Sequence, residues 1–198
     1  MDHLSYRCQC GQTELLLRGP SPKTCTRLAC YCVDCQSFVR HFNREDMMDA
    51  YGGTDLAQVD PGAVQIPQGQ DNLVPLRLSP KGMFRWYARC CNTPMANGGP
   101  NAGLPFLSLL AANAQGDLDK ALGKKKAQVN TLGAYGSGRP GKDRGFQRVI
   151  WKFLTRAIAS RLNGNFRKNP FWVFPQQQPI AQPVVLTKDE RRAAQKRS

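Results

Sequence analysis

Eight cysteines carry most of the chemistry legible in this 198-residue chain, and seven of them fall in three tight groups. Cys8 and Cys10 stand in RCQCG, Cys30, Cys32 and Cys35 in CYCVDC, and Cys90 and Cys91 are adjacent. Disulfide frameworks spread cysteines along a chain to close loops, whereas metal sites bring them in short-spaced groups. The grouping therefore points to thiolates that hold metal.

Zinc needs sulfurs that converge at about 2.3 Å from the ion, and a C-x-x-C turn folds its second thiol back to meet the first. In CYCVDC a C-x-C runs into a C-x-x-C, which offers three thiolates from one loop. Three protein ligands leave a fourth tetrahedral position for water or substrate, the layout of catalytic zinc. The same loop would also serve a closed structural site, with Cys25 or His41 as fourth ligand, and soft thiolates accept iron–sulfur clusters too. The remaining groups would join Cys8 and Cys10 to Cys90 and Cys91, tying the start of the chain to a distant strand. Adjacent strand residues point to opposite faces, so the vicinal pair can share one ion only at a local bend.

The elements that would position these thiols are mostly short strands. QTELLLRG, KTCTRLAC, DLAQVD, AVQIPQG, LVPLRLS and MFRWYARC read as β-runs broken by Pro and Gly. QSFVRHFNREDMMDAY reads as a helix ended by Gly52 and Gly53, and LPFLSLLAANA and GDLDKALGKKK as further helices. GAYGSGRPGKDRG has linker composition. FQRVIWKFLTRAIASRLNG, residues 146–164, is the clearest helix. Phe146, Val149, Ile150, Phe153, Leu154, Ala157 and Ile158 form one apolar face, with Arg144, Arg148, Lys152 and Arg156 opposite. Such a face is expected to dock on the β-domain and leave the cations in water. PQQQPIAQP reads as an extended connector and KDERRAAQKRS as a solvated tail.

The net charge of +14 is unevenly placed. Residues 1–120 hold 11 Lys/Arg against 11 Asp/Glu, whereas residues 121–198 hold 17 against 3. The division predicts a neutral metal-binding domain over residues 1–120, a helical basic extension over 121–187 and a charged tail over 188–198. No apolar leader precedes the first cysteines, and GLPFLSLLAANA is too short to span a bilayer, so a soluble, cytoplasmic protein is expected.

RCQCG, ACYCVDCQ and RWYARCCNTPM, in that order, resemble the glutathione-dependent formaldehyde-activating enzyme family, which includes the centromere protein V-like proteins. The match covers about residues 6–97. Its pattern is C-x-C-G, then C-H-C-x-x-C, then an aromatic-rich strand leading to C-x-x-C-G-x-P. The resemblance implies a mainly β fold, a β-tent of short antiparallel strands with zinc sites, which the helical extension makes α+β overall. It implies a structural zinc on Cys8, Cys10 and Cys91, with Cys90 or Cys25 completing the set, and a labile zinc on Cys30, Cys32 and Cys35. One or two zinc ions per chain are thus expected. Here Ala88 stands where the family has the first cysteine of its third motif, and Tyr31 where it has histidine.

What the resemblance implies about activity is carbon–sulfur lyase chemistry on a small, glutathione-like thiol adduct. Asp34 and His41 are candidates for proton transfer, and Arg85 and Arg89 for holding an anionic substrate. The alternative is a non-catalytic zinc-stabilised binding module whose basic C-terminal region meets nucleic acid or an anionic membrane surface. Aromatics are not interleaved with its Arg and Lys as a base-stacking platform requires, which weighs against nucleic acid.

Overall fold

A computed structural model describes residues 2–196. In chain order the strands are β1 (His3–Arg7), β2 (Glu14–Arg18), β3 (Thr26–Cys30), β4 (Thr54–Val59), β5 (Val64–Gln68), β6 (Leu73–Arg77), β7 (Phe84–Ala88) and β8 (Thr93–Gly98). They continue with β9 (Leu107–Leu110), β10 (Ala114–Gln115), β11 (Ala127–Val129), β12 (Trp172–Val173), β13 (Gln178–Pro179) and β14 (Val184–Val185). The helices are α1 (Val33–His41), α2 (Leu118–Leu122), α3 (Phe146–Leu162) and α4 (Lys188–Gln195).

Among the described residues the strands form a large sheet ordered β11-β3-β4-β9-β8-β7-β6-β14, a smaller sheet ordered β10-β1-β2-β5, and the pair β12-β13. Pairing within the sheets is antiparallel except at the two edges of the large sheet, where β11 lies parallel to β3 and β14 parallel to β6. The fold is mainly β, as expected, with helices added. The edge strands come from beyond residue 120, so the basic C-terminal region is woven into the large sheet.

Period-two alternation sorts the large sheet into two faces. One face carries Ala57, Val59, Trp86, Ala96, Leu107 and Leu109, which pack with Leu4, Tyr6, Leu15 and Leu17 of the small sheet into the main core. Leu28, Leu56, Leu76 and Leu110 on the other face pack with Phe38 and Val39 of α1, Val149 of α3 and Leu186. Phe171 and Trp172 close the far end of the main core, Phe171 against Trp86 and Trp172 against Phe84.

Four expectations change. LPFLSLLAANA is not helical: Leu107–Leu110 is a central strand buried on both faces, which removes the alternation that would have announced it. α1 stops at His41 rather than at Gly52, because Asn43 turns into the left-handed region at φ 53° and a short 3-10 turn follows at Glu45–Met47. Residues 188–195 are no solvated tail: Thr187 and Glu190 form a reciprocal capping box, and α4 packs on α1 with Ala194 buried. The last two residues of that run lie outside the described residues.

The fourth change is the orientation of α3. Its sheet-facing side is formed by Val149, Lys152, Phe153, Arg156, Ala157 and Ser160, and Phe146, Ile150, Trp151, Leu154, Ile158 and Leu162 are exposed. Polar anchors fix this orientation. Lys152 Nζ donates to the carbonyls of Pro22 (2.6 Å) and Cys25 (3.3 Å), Arg156 Nη1 to Thr26 Oγ1 (2.6 Å), and Ser160 Oγ to Asp60 Oδ1 (2.9 Å). A cation satisfied by fixed acceptors can sit at an interface that periodicity alone would assign to the apolar side. Val149→Ala is expected to lower unfolding free energy by about 2 kcal/mol, from lost burial and the cavity left behind. Trp151→Ala should change it by less than about 0.5 kcal/mol. Urea melts of the two variants check the orientation, and the reverse ranking would contradict it.

Candidate metal centres

The first centre gathers Cys8, Cys10, Cys90 and Cys91, whose sulfurs all lie within 4.8 Å of one another. Individual separations are 3.6 Å for Cys8–Cys10, 3.8 Å for Cys8–Cys90, 3.4 Å for Cys10–Cys90 and 3.8 Å for Cys90–Cys91. Four sulfurs placed tetrahedrally around zinc would be about 3.8 Å apart, so the set fits such an ion. The vicinal pair contributes twice because β7 has already ended: residues 89–92 form a turn, with Asn92 at φ 55°.

Neighbouring groups brace these thiols. Thr13 N donates to Cys8 Sγ (3.3 Å), and Thr93 Oγ1 lies 3.1 Å from Cys91 Sγ. Thr93 Oγ1 also accepts from Gln9 N and from Arg44 Nη1, while Arg44 is held by Asp46. Burial works against ionisation of Cys91, but the hydrogen bonds from Thr93 and from the Cys10 backbone prevail and bring it down to about 6. The thiolate is the metal-binding form, so this lowering suits a ligand.

The second centre gathers Cys30, Cys32 and Cys35, again with sulfurs within 4.8 Å. Cys30 ends β3, Cys32 caps α1 by accepting from Cys35 N (3.3 Å), and Cys35 lies in the helix's first turn. A strand end and a helix start thus point their side chains at one spot. Asn130 Nδ2 donates to Cys30 Sγ (3.4 Å) and Arg85 Nη1 to Cys35 Sγ (3.9 Å). Hydrogen bonds from Cys30 and Cys32, joined by the Arg85 charge, outweigh burial and bring Cys35 well below the usual thiol range. Cys32 is pushed the other way by its bonds to Cys30 and Cys35. The Arg85 guanidinium beside Cys35 favours the thiolate form there.

Tyr31 does not face the thiols. Its hydroxyl donates to Asp49 Oδ2 (2.9 Å) and its ring packs with Ala29, Ala134 and Tyr51. Cys25 and His41 lie outside both groups, so among the described residues the second centre has three such donors and no fourth. Asp34 is about half exposed and pairs with Arg85 at 3.7 Å.

Beside the second centre lies a cavity of about 270 Å³. Its lining includes the three cysteines with Arg85 next to Cys35, Met83, Phe106 and Leu56, and Phe146, Val149 and Ile150 of α3. Arg85 is 4% exposed and also donates to Asn97 Oδ1 at 2.7 Å. Arg89 is not at this cavity: it stands in the exposed turn after β7. Residues missing from the sequence reading are Gln58, Asn97, Ser108 and Asn130. Asn97 and Ser108 carry no charge and no motif, and Ser108 sits in the run expected to be helical.

Residues 2–170 match the model of a family described as a family of unknown function, DUF6151, and the chain belongs to that family. None of the curated proteins matches it. Among solved structures, a Rhodobacter sphaeroides protein determined as a Northeast Structural Genomics target is 17% identical, with a TM-score of 0.42, over 61% of this chain and 96% of that one. The two cysteine clusters are placed to hold metal ions. No helix among the described residues is long and apolar enough to cross a membrane.

The segment that carries Asn130 is pinned to the cysteine loop by Gln36, whose Nε2 donates to the carbonyls of both Tyr31 and Gly133 (2.9 Å each). A Cβ at Gly133 would collide with the Tyr31 carbonyl oxygen, a backbone atom. Gly133→Ala is therefore expected to displace the loop and weaken metal binding at the second centre by tenfold or more, sparing the first. Competition with a chromophoric chelator measures both, and equal affinities in variant and wild type would contradict the placement.

Proposed function

We propose that this chain is a zinc protein of the formaldehyde-activating type, whose second centre carries carbon–sulfur lyase chemistry on a small thiol adduct. The observation that supports this most is the trio of converging thiols lining a cavity, with no fourth such donor among the described residues, next to a buried guanidinium. The three ordered cysteine motifs support the same family. Zinc bound there would supply a Lewis acid for a substrate sulfur or oxygen.

The chain's own residues would do the rest. Arg85 holds positive charge at the cavity end where a substrate oxygen or sulfur gains negative charge, and low polarity around it strengthens that interaction. Asp34, bridging from Arg85 to solvent, is placed to take the adduct's hydroxyl proton. As the O–H pair becomes the carbonyl bond, the C–S bond breaks and its electrons leave on sulfur. The products are an aldehyde and a thiolate. Phe146, Val149 and Ile150 add apolar surface to the cavity that a substrate's carbon chain would meet. The first centre, none of whose cysteines lines this cavity, would act structurally, holding residues 8–10 to 90–91.

The alternative, a binding module, draws on the exposed apolar side of α3, with Trp151 68% exposed and Ile158 59%. Its contact with an anionic membrane, like any contact with nucleic acid, stays secondary, because neither uses the open thiol trio.

Metal analysis of reduced protein should give two zinc ions per chain. Cys32→Ser should lose one ion, remain folded and lose turnover of hydroxymethyl-thiol adducts, while Cys91→Ser should lose the other ion together with thermal stability. Turnover undiminished in Cys32→Ser, or X-ray absorption showing four protein ligands at both ions, would sink the proposal.

A further inference from the structure

A row of polar side chains crosses the cavity face of the large sheet, one from each of four adjacent strands. Arg85 on β7 pairs in register with Asn97 on β8, Asn97 with Ser108 on β9, and Ser108 with Gln58 on β4. All four line the cavity beside the second centre, among otherwise mostly apolar walls. Polar groups at such positions are costly unless they are hydrogen-bonded.

Their hydrogen bonds within the protein leave several donors over. Asn97 Oδ1 accepts from Arg85 Nη1 and Gln58 Oε1 accepts from Arg156 Nη2 (3.3 Å). A guanidinium can only donate, so each contact must involve the amide oxygen, and the two amide nitrogens remain as donors. Between them Ser108 Oγ is buried with no hydrogen-bond partner. The row therefore has donors to offer: the Arg85 guanidinium, which also pairs with Asp34, the Asn97 and Gln58 amide nitrogens, and the Ser108 hydroxyl, which can donate or accept. Among the described residues nothing in the cavity's wall hydrogen-bonds to Ser108 Oγ.

We infer that this row is a recognition track for the carboxylate end of a short aliphatic thiol or its adduct, whose sulfur end lies at the thiol trio. The sulfur end rests on the function proposed above; the carboxylate end rests on the donors. Ser108 stands two strand spacings from Arg85, roughly 10 Å, which a chain of about six atoms spans. Phe106 and Ile150 cover the aliphatic middle.

The test is calorimetric titration of the zinc-loaded, full-length protein with 6-mercaptohexanoate and with its methyl ester. The acid should bind at least tenfold more tightly than the ester. Ser108→Ala should remove most of that preference and leave the thermal midpoint of the free protein unchanged, since its hydroxyl has no partner in the protein to lose. Gln58→Glu, which keeps an acceptor for Arg156, should weaken the acid about tenfold or more and leave the ester unaffected. Equal affinity for acid and ester, lost in Cys32→Ser, would overturn the track and leave the proposed centre standing. Preference for the acid that survives Cys32→Ser would uphold the track and remove the thiol end. If neither compound binds, both fall.

Discussion

Everything at the second centre depends on the side-chain alternation of the large sheet. Because successive residues of a strand face opposite ways, Trp86 and Ala96 enter the main core while Arg85 and Asn97 enter the cavity. The apolar side is packed against the small sheet and is therefore fixed in register. A slip by one residue in a central strand would move a polar group into the main core and a core side chain into the cavity. The polar row is as precise as the hydrophobic packing behind it. The cysteine loop joins the same frame, since Cys30 is the last residue of β3 and points to the side occupied by Leu28.

α3 shows where burial and polarity part company. Its apolar periodicity correctly implies a helix with two distinct sides, but the side that meets the sheet contains Lys152 and Arg156. Those cations find carbonyls at Pro22 and Cys25, a hydroxyl at Thr26 and the Gln58 amide, all presented by segments that the helix crosses. Packing remains part of the attachment, through Val149 and through the edge-to-face contact of Phe153 with Phe106. The helix is thus held by directional bonds as much as by apolar area. Through Gln58, Arg156 also orients an amide that lines the cavity.

Much of the mainly β fold was legible because the strands around RWYAR, TRLAC and ELLLR alternate, and Pro and Gly punctuate them. The thiol groups were legible from spacing alone, including the bend that adjacent cysteines need. Other features were hidden for physical reasons. LSLL lies in the middle of the large sheet with both faces covered, so Ser108 had no periodic signal around it. The parallel edge strands at Ala127–Val129 and Val184–Val185 are too short to register, and their pairing partners are 99 and 108 residues away, as between Ala127 and Leu28 or Val184 and Leu76. Charge composition suggested a basic extension after residue 120, but composition carries no information on which edge of a sheet is vacant. The helix at the C-terminal end was obscured by its charge, although its capping box is written in TKDE.

The separation in sequence between Asn130 and Cys30 is 100 residues. Cys30, Cys32 and Cys35 leave the ribosome early, while the groups that shield them, on the loop at residues 130–133 and on α3, are made only in the last third of the chain. During synthesis from the N-terminus the trio is therefore made 100 residues ahead of the asparagine, and still further ahead of the α3 side chains, that lie beside it in the folded chain. Thiols in that condition react with oxidants and bind whatever soft cation is nearby. The cavity beside these sulfurs is consequently completed only after the sulfurs themselves have been made, so the order of synthesis separates the thiols from their surroundings.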